Sequence, residues 1–282
     1  MIIRVPATSA NIGPGYDSMG LAFNLYNDFY FSLADKTDEA TKKSLMYKSV
    51  DYFFKSYKFK VPELNIRVKG DIPMSRGLGS SASCIVASLV FANEYSGLNL
   101  NKKALLKMAT EIEGHPDNVA PALLGGHVTS LVRDKEVFYY KSLLSEKLKF
   151  ILLVPDFKLE TKEARKVVKK EVALEDAVLN IAAASLITQA LRTGDFALLK
   201  GVAEDRLHEP YRKKLIKDYN LIKEEVTRSN GVLFISGAGP SLMAITEEAN
   251  EGVESSLRSI ETQAHWKILN LKIDNRGTYI KE

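Results

Sequence analysis

The stretch Pro73 to Ser83, PMSRGLGSSAS, runs straight into the apolar segment Cys84 to Ala92, and this junction constrains the chain more than any other. A glycine-rich turn that opens directly into a helix points unpaired backbone N–H groups, and the positive end of the helix dipole, at whatever lies in front of it. Gly77 and Gly79 let the backbone bend tightly and approach an anion closely. Ser80, Ser81 and Ser83 add hydroxyls at the first helical turn, where negative charge is favoured. With Pro73, Met74, Ser75, Arg76, Leu78 and Ala82 they make 73–83 a candidate phosphate-binding segment. No Gly-Lys-Ser/Thr follows, so it is not the Walker loop. Taken alone, a Gly/Ser turn reads equally as an ordinary helix start.

Three further segments change that balance. VPATSANIGPGYDSMGLAFNLYN, Val5 to Asn27, holds a turn-rich loop at Gly13, Pro14 and Gly15, with Asn11 and Asp17 as its fixed polar groups. EIEGHPDNVAPALLGG, Glu111 to Gly126, crowds Glu111, Glu113, His115, Asp117 and Asn118 together. SGAGPS, Ser236 to Ser241, places a glycine turn able to approach a ligand between two apolar strands.

These segments resemble the signature motifs of the GHMP family of small-molecule kinases. PATSANIGPGYDSMGLA, RGLGSSAS, EGHPDNVAPALLGG, TKEARKV, LHEPYR and SGAGPS resemble, in order and spacing, the branch of that family whose acceptor is homoserine, and they reach from residue 5 to residue 241. The resemblance implies an ATP-dependent phosphorylation of L-homoserine in threonine biosynthesis, with Mg²⁺ as the accompanying ion and a homodimer as the assembly. It also implies two domains. One is like ribosomal protein S5 and would span 1–148; the other is ferredoxin-like and would span 149–282, with ATP and acceptor in the cleft between them.

Roles follow position by position from the resemblance. The backbone of Gly77 to Ala82 and the hydroxyls of Ser80 and Ser81 hold the ATP phosphates. Mg²⁺ takes hard oxygen ligands and keeps several waters; Glu111 is the expected carboxylate and Ser81 the hydroxyl, with Glu113 the rival two positions away. Homoserine carries an ammonium, a carboxylate and a primary hydroxyl. Asp17 suits the ammonium and Asn11 the hydroxyl end, while Arg165 and Arg212 suit the carboxylate through forked hydrogen bonds. His115 and Asn118 match further substrate positions, and Thr161 matches a hydroxyl near the reacting end. Other branches place an aspartate where HPDN has Asn118, and an amide is not a base. Asn118, Arg165 and Thr161 are therefore the expected catalytic set, acting by position and charge, with Asp117 the one neighbour able to accept a proton. The segment between Leu33 and Leu45, near the adenine end of the site in relatives, is shorter than the family pattern, so the resemblance does not fix the adenine contacts or the nucleotide preference. A different small alcohol as acceptor, or a nucleotide sensor without turnover, are the competing readings.

Composition adds bounds. At 282 residues two domains sharing a cleft are expected, and 39 basic against 35 acidic residues is a mild excess that selects no partner. The basic run Lys158 to Lys170 lacks interleaved aromatic residues and reads as a solvated helix face, not a nucleic-acid surface. The lone Cys84 rules out an internal disulfide framework and reads as a core thiol in a cytoplasmic protein. No unbroken apolar run approaches the roughly 20 residues of a membrane span, so no membrane partner is expected.

Mixed strands and helices without regular βαβ alternation predict an α+β fold. Strands are expected at 2–6, 21–33, 64–69, 127–132, 136–140, 150–156, 231–236, 242–246 and 267–273. Helices are expected at 39–58, 80–95, 102–113, 161–170, 175–193, 195–206, 215–229 and 250–264.

Overall fold

A computed structural model describes residues 1–282 and gives the expected α+β class. The first half contains β1 (Ile2–Ala10), β2 (Met19–Leu33), α1 (Glu39–Lys43), α2 (Leu45–Ser56), β3 (Leu64–Gly70), α3 (Ser80–Ser96), α4 (Lys102–Glu113), α5 (Pro116–Leu124), β4 (His127–Arg133) and β5 (Glu136–Ser142). The helix expected over 39–58 is two. Ser44 adopts extended backbone and caps α2 by accepting from the Tyr47 N–H, which ends α1 one residue earlier. The α5 helix was not anticipated, because two prolines and flanking glycines make HPDNVAPALLGG look like a loop. Pro116 in fact occupies the first turn, where its missing N–H costs nothing.

The second half contains β6 (Leu148–Pro155), α6 (Thr161–Lys166), α7 (Leu174–Thr193), α8 (Phe196–Val202), α9 (Glu209–Arg212), α10 (Tyr219–Arg228), β7 (Val232–Ile235), β8 (Leu242–Glu247), α11 (Gly252–Ser259), β9 (Trp266–Leu271) and β10 (Tyr279–Lys281). The helix expected from 215 starts only at Tyr219. A separate turn of helix, α9, carries Glu209 to Arg212 and is followed by a 3₁₀ turn.

Two antiparallel sheets organise the molecule. The first has the order β10-β1-β2-β4-β5, with β3 also pairing β2. The second has the order β7-β8-β6-β9. Its β6-helices-β7-β8-α11-β9 succession is the split βαβ arrangement of a ferredoxin-like unit. The strand β10 crosses the boundary placed at residue 148: Ile2 pairs with Lys281, and Arg4 and Lys281 both bind Asp28. Three residues with one apolar position are too short to show periodicity in the sequence.

α3 is apolar on nearly every side and runs through the main core beside α2, α4 and α5. Its buried Ser83 and Ser88 donate back to the carbonyls of Ser80 and Cys84, so burial leaves neither hydroxyl unpaired. A second core joins Ile12, Leu21 and Phe23 of the first half to Phe150, Ile187 and Phe234 of the second. The halves thus share packed apolar surface, and the cleft at its rim has walls fixed relative to one another.

α7 is 20 residues long, and its most apolar 18-residue stretch has a mean hydropathy of 1.2, long and apolar enough by composition alone to cross a membrane. This departs from the expectation drawn from unbroken runs, because Glu175, Asp176 and Asn180 interrupt the run without lowering the average below that level. Ile187, Ala190 and Leu191 bury one face of the helix in the shared core.

Candidate active site

The cleft, about 370 Å³, lies where the two halves meet. Pro73 to Ser81 form one wall, and Asn11, Glu113, His115, Asp117, Asn118, Thr161, Arg165, Arg212, Gly237 and Ala238 complete it.

The glycine loop takes its shape from close packing. Gly77 has φ +74°, and a Cβ there would stand 2.2 Å from the Ser236 carbonyl oxygen. Gly79, at φ +68°, would put a Cβ 1.9 Å from the Thr8 Oγ1. Only glycine fits either place, and both contacts press the loop onto the SGAGPS turn and β1. The Ser236 hydroxyl donates to the Gly77 carbonyl at 2.9 Å. Arg76 is part of that wall, and its guanidinium is already engaged: its Nε donates to the Pro155 carbonyl at 2.9 Å and its Nη2 to that of Asp156 at 2.8 Å. It clasps the loop to the end of β6. Ala82 and Ser83 are buried and do not line the cleft. The hydroxyls left facing it are those of Ser80 and Ser81.

The acidic pair at the end of α4 separates cleanly. Glu111, the expected metal ligand, is exposed and does not reach the cleft; its Oε2 accepts from the Tyr52 hydroxyl at 2.5 Å. Glu113 lies one helical half-turn further and enters the cleft, accepting from the Ser81 hydroxyl at 2.8 Å. Burial pushes its carboxyl above the usual range, and the Ser81 hydrogen bond opposes that shift. Two adjacent hard oxygen donors beside a phosphate loop suit Mg²⁺.

At the other end, Asp17 accepts both arms of the Arg165 guanidinium, at 2.8 and 3.0 Å. Burial pulls the Arg165 pKa down, but the Asp17 hydrogen bond and charge carry it above its ordinary value. Asn11 uses both ends of its amide: the Asp17 N–H donates to its oxygen at 2.8 Å, and its nitrogen donates to the Gly237 carbonyl at 2.9 Å. It shapes the loop that presents Asp17. Arg212 is completely buried and makes no ion pair. Its guanidinium donates to the carbonyls of Ala164 (3.2 Å) and Gly237 (3.1 Å), and burial lowers its pKa.

His115 Nδ1 bonds to the Asp117 Oδ1. Burial draws the imidazole pKa down, yet the carboxylate partner outweighs that and leaves it raised. Asp117 is 1% exposed and its Oδ2 has no hydrogen-bond partner. Asn118 accepts at Oδ1 from the Thr8 hydroxyl at 2.8 Å, which fixes the amide's orientation. Thr161 opens α6 at the exposed lip of the cleft. Ligand atoms of Asp17, His115 and Asp117 lie within 4.8 Å of one another; both Asp17 oxygens serve Arg165 and one Asp117 oxygen serves the imidazole. Cys84 lines the cleft beside Ser81, and burial pushes its thiol up to about 11, which leaves it inert.

Of the expected acceptor residues, Asn11, His115, Asn118, Arg165 and Arg212 line one cavity, and Asp17 is joined to it by its pair with Arg165. Thr8, which orients Asn118, and Gly237, whose carbonyl gathers Asn11 and Arg212, were not singled out from sequence. Their signal is non-local, since 110 residues separate Thr8 from Asn118 and 226 separate Asn11 from Gly237.

Comparison with known proteins agrees with this fold. The family model of the GHMP kinases N terminal domain matches residues 44–126, and that of the GHMP kinases C terminal matches residues 187–260. A homoserine kinase of Clostridium botulinum type A is 42% identical over 291 residues, covering 99% of this chain and 97% of the relative. One from Clostridium beijerinckii is 41% identical over 292 residues, covering 99% and 98%. Among solved structures, a putative homoserine kinase from Listeria monocytogenes superposes with a TM-score of 0.82 at 29% identity, covering 100% of this chain and 99% of that one. The homoserine kinase of Cytophaga hutchinsonii shares the fold at a TM-score of 0.87 and 24% identity, covering 99% and 96%.

Proposed function

The chain belongs to the GHMP kinase family, and on that premise we propose that it is an ATP-dependent homoserine kinase, making O-phospho-L-homoserine for threonine biosynthesis. The observation that carries this reading is the charge layout of the acceptor end. Two guanidinium groups (Arg165 and Arg212) line the cavity with the phosphate loop, and a carboxylate, Asp17, is paired to Arg165, a layout that suits an amino-acid zwitterion and suits neither a sugar nor a simple hydroxy acid. Asp17 and Arg165 neutralise each other in the empty site. The ammonium and carboxylate of homoserine can then take over the two halves of that pair without leaving a bare charge behind. Arg212, already desolvated and unpaired, supplies the remaining cationic attraction.

The phosphate chain of ATP lies along Gly77 to Ser81, at the N-terminus of α3. Leu45 and Met74, apolar members of the lining, offer the surface for the base. Ser81 and Glu113 are the residues that would hold Mg²⁺, which when bound neutralises phosphate charge. Asn118, Thr161 and Arg165 hold the acceptor hydroxyl against the γ-phosphorus. The hydroxyl oxygen forms the new P–O bond, the bond to the ADP oxygen breaks, and the proton passes to the transferred phosphoryl group or to solvent. A loose transition state asks chiefly for this alignment and for positive charge, so no side-chain base is needed.

We place the protein in the cytoplasm, where its ATP is made and a free thiol persists, with 1–148 as the ATP-binding domain and 149–282 as its partner in the cleft. The assembly we propose is a homodimer. A coupled ADP-release assay with Mg-ATP and L-homoserine, D-homoserine, L-serine, mevalonate and galactose tests the function. Turnover confined to L-homoserine is expected; turnover of mevalonate or galactose refutes the zwitterion pocket, and silence with ATP still bound refutes the kinase.

A further inference from the structure

His208 lies at the N-terminus of α9, completely buried, and no step above uses it. Its two ring nitrogens have partners that permit a single protonation state. Nε2 lies 2.8 Å from the Gly13 carbonyl oxygen, which can only accept, so Nε2 carries the proton. Nδ1 lies 3.3 Å from an Arg212 nitrogen, which can only donate, so Nδ1 presents its lone pair. A second proton would break the bond to Arg212 and set two cations side by side in a dry interior. Burial holds the imidazole pKa below its ordinary value, as do Arg212's charge and against the pull of Asp205, whose nearer oxygen is 3.6 Å away.

The ring also reaches the acceptor loop through its face. Tyr16, next in sequence to Asp17, stacks on His208 with centroids 5.1 Å apart and planes 24° apart, and the Arg212 guanidinium sits 5.1 Å from the same tyrosine ring. His208 itself is held by α9: the Asp205 carboxylate accepts from the backbone N–H groups of His208 and Glu209, at 2.9 and 2.7 Å. One imidazole therefore links the guanidinium that faces the acceptor to the loop that presents the acceptor's counter-charge. We propose that His208, fixed as the neutral Nε2–H tautomer between Gly13 and Arg212, is the positioning residue that sets acceptor affinity. It acts by keeping the Arg212 fork and the Asp17 loop at a constant separation. The inference rests on the homoserine kinase reading above.

The test is steady-state kinetics with both substrates varied, on wild type, His208→Phe and His208→Gln. Phenylalanine keeps the ring volume and the stack on Tyr16 but removes both hydrogen bonds. Glutamine can donate to Gly13 and accept from Arg212. His208→Phe is expected to raise the KM for homoserine at least tenfold, with the KM for ATP and kcat within about threefold of wild type, and His208→Gln to recover most of that loss. In ¹⁵N-histidine spectra of the wild type, whose four histidines are separated by difference against His208→Gln, His208 should appear as the Nε2–H tautomer at neutral pH. An unchanged homoserine KM in His208→Phe overturns the proposal. So does an equal rise in both KM values, a glutamine variant no better than phenylalanine, or a charged or Nδ1–H imidazole. A wild type that phosphorylates another acceptor and leaves homoserine alone overturns the functional reading itself, and is distinct from all of these.

Discussion

A guanidinium buried without a carboxylate is costly unless each N–H finds an oxygen or nitrogen, and Arg212 meets that need with two carbonyls and an imidazole. None of the three neutralises its charge, which suits the acceptor carboxylate proposed above. Asp117 is the converse case, a buried carboxylate with one oxygen bonded to His115 and the other unpaired. If the hydroxyl proton leaves without a side-chain base, Asp117→Asn keeps kcat within about tenfold of wild type, whereas loss of a general base typically costs 10²–10⁴-fold. Quench-flow turnover with homoserine affinity measured separately decides this, and a loss beyond 10²-fold with affinity intact makes Asp117 the base. The metal carboxylate divides as sharply. Glu113→Gln is expected to lower kcat by at least about 10²-fold and raise the Mg²⁺ needed for half-maximal rate, while Glu111→Gln, on the exposed side of α4, stays within twofold; Mg²⁺ titration of both variants checks it. Residue types were legible in the sequence because phosphate and zwitterion chemistry demand them. The choice between Glu111 and Glu113 was not, since it turns on a rotation of about 200° around a helix whose phase relative to the cleft is set by packing.

At the scale of elements, the strands and long helices followed from period, the Ser44 cap that splits α1 from α2 went unread, and the elements missed outright share one cause. α5, α9 and β10 are short, and tertiary partners hold them where their own patterns do not: α5 packs on β1 and β4, α9 hangs from Asp205, and β10 pairs with β1. β4 contains a more instructive burden. His127 is completely buried, opposite Leu21 on β2, and neither of its ring nitrogens has a partner. Burial lowers its pKa to about 4, against about 6.5 in an unfolded chain. Above pH 6.5 both states hold it neutral and it contributes no pH dependence. As pH falls from about 6.5 toward 4, the unfolded chain takes up a proton that the folded chain refuses, so stability is lost across that window, approaching about 3 kcal/mol at its acid end. Urea midpoints from pH 7.5 to 4.5 should therefore fall more steeply for wild type than for His127→Leu, with the two curves separating below pH 6.5. Parallel curves would mean that the imidazole is solvated or paired.

For the molecule as a whole, the unused surface is the outer face of α7. Leu174, Val178 and Ile181 are 79%, 58% and 70% exposed, and with Leu186 they form an apolar stripe along a helix about 30 Å long. Its two ends differ in charge: Glu175 stands at the start and Arg192 at the end, where Arg192's one side-chain bond is to Gln189. A second copy laid antiparallel about a two-fold axis between Ala183 and Ala184 places Glu175 opposite Arg192, twice, and Ile181 opposite Leu186, twice. Ala182 and Ser185 fall nearest the axis on the exposed side, and small residues there let the helices approach. The antiparallel dipoles also attract. A standard interface buries about 800 Å² per partner, more than one helix face supplies, and the exposed Val167 and Val172 leading into α7 offer further apolar surface for such a contact. The expected result by sedimentation equilibrium is a dimer for wild type at micromolar concentration and a monomer for Ile181→Glu. Arg192→Glu should weaken the dimer, and adding Glu175→Arg should restore it. No residue of α7 lines the cleft, so monomeric Ile181→Glu should keep kcat/KM for homoserine within about threefold of wild type. A wild type that stays monomeric, or an Ile181→Glu variant that remains dimeric, would remove α7 as the interface. A monomer that loses turnover while its melting temperature holds would show that the inner face of α7, through Asn180 and its bond to Asp205, transmits the contact to the acceptor loop.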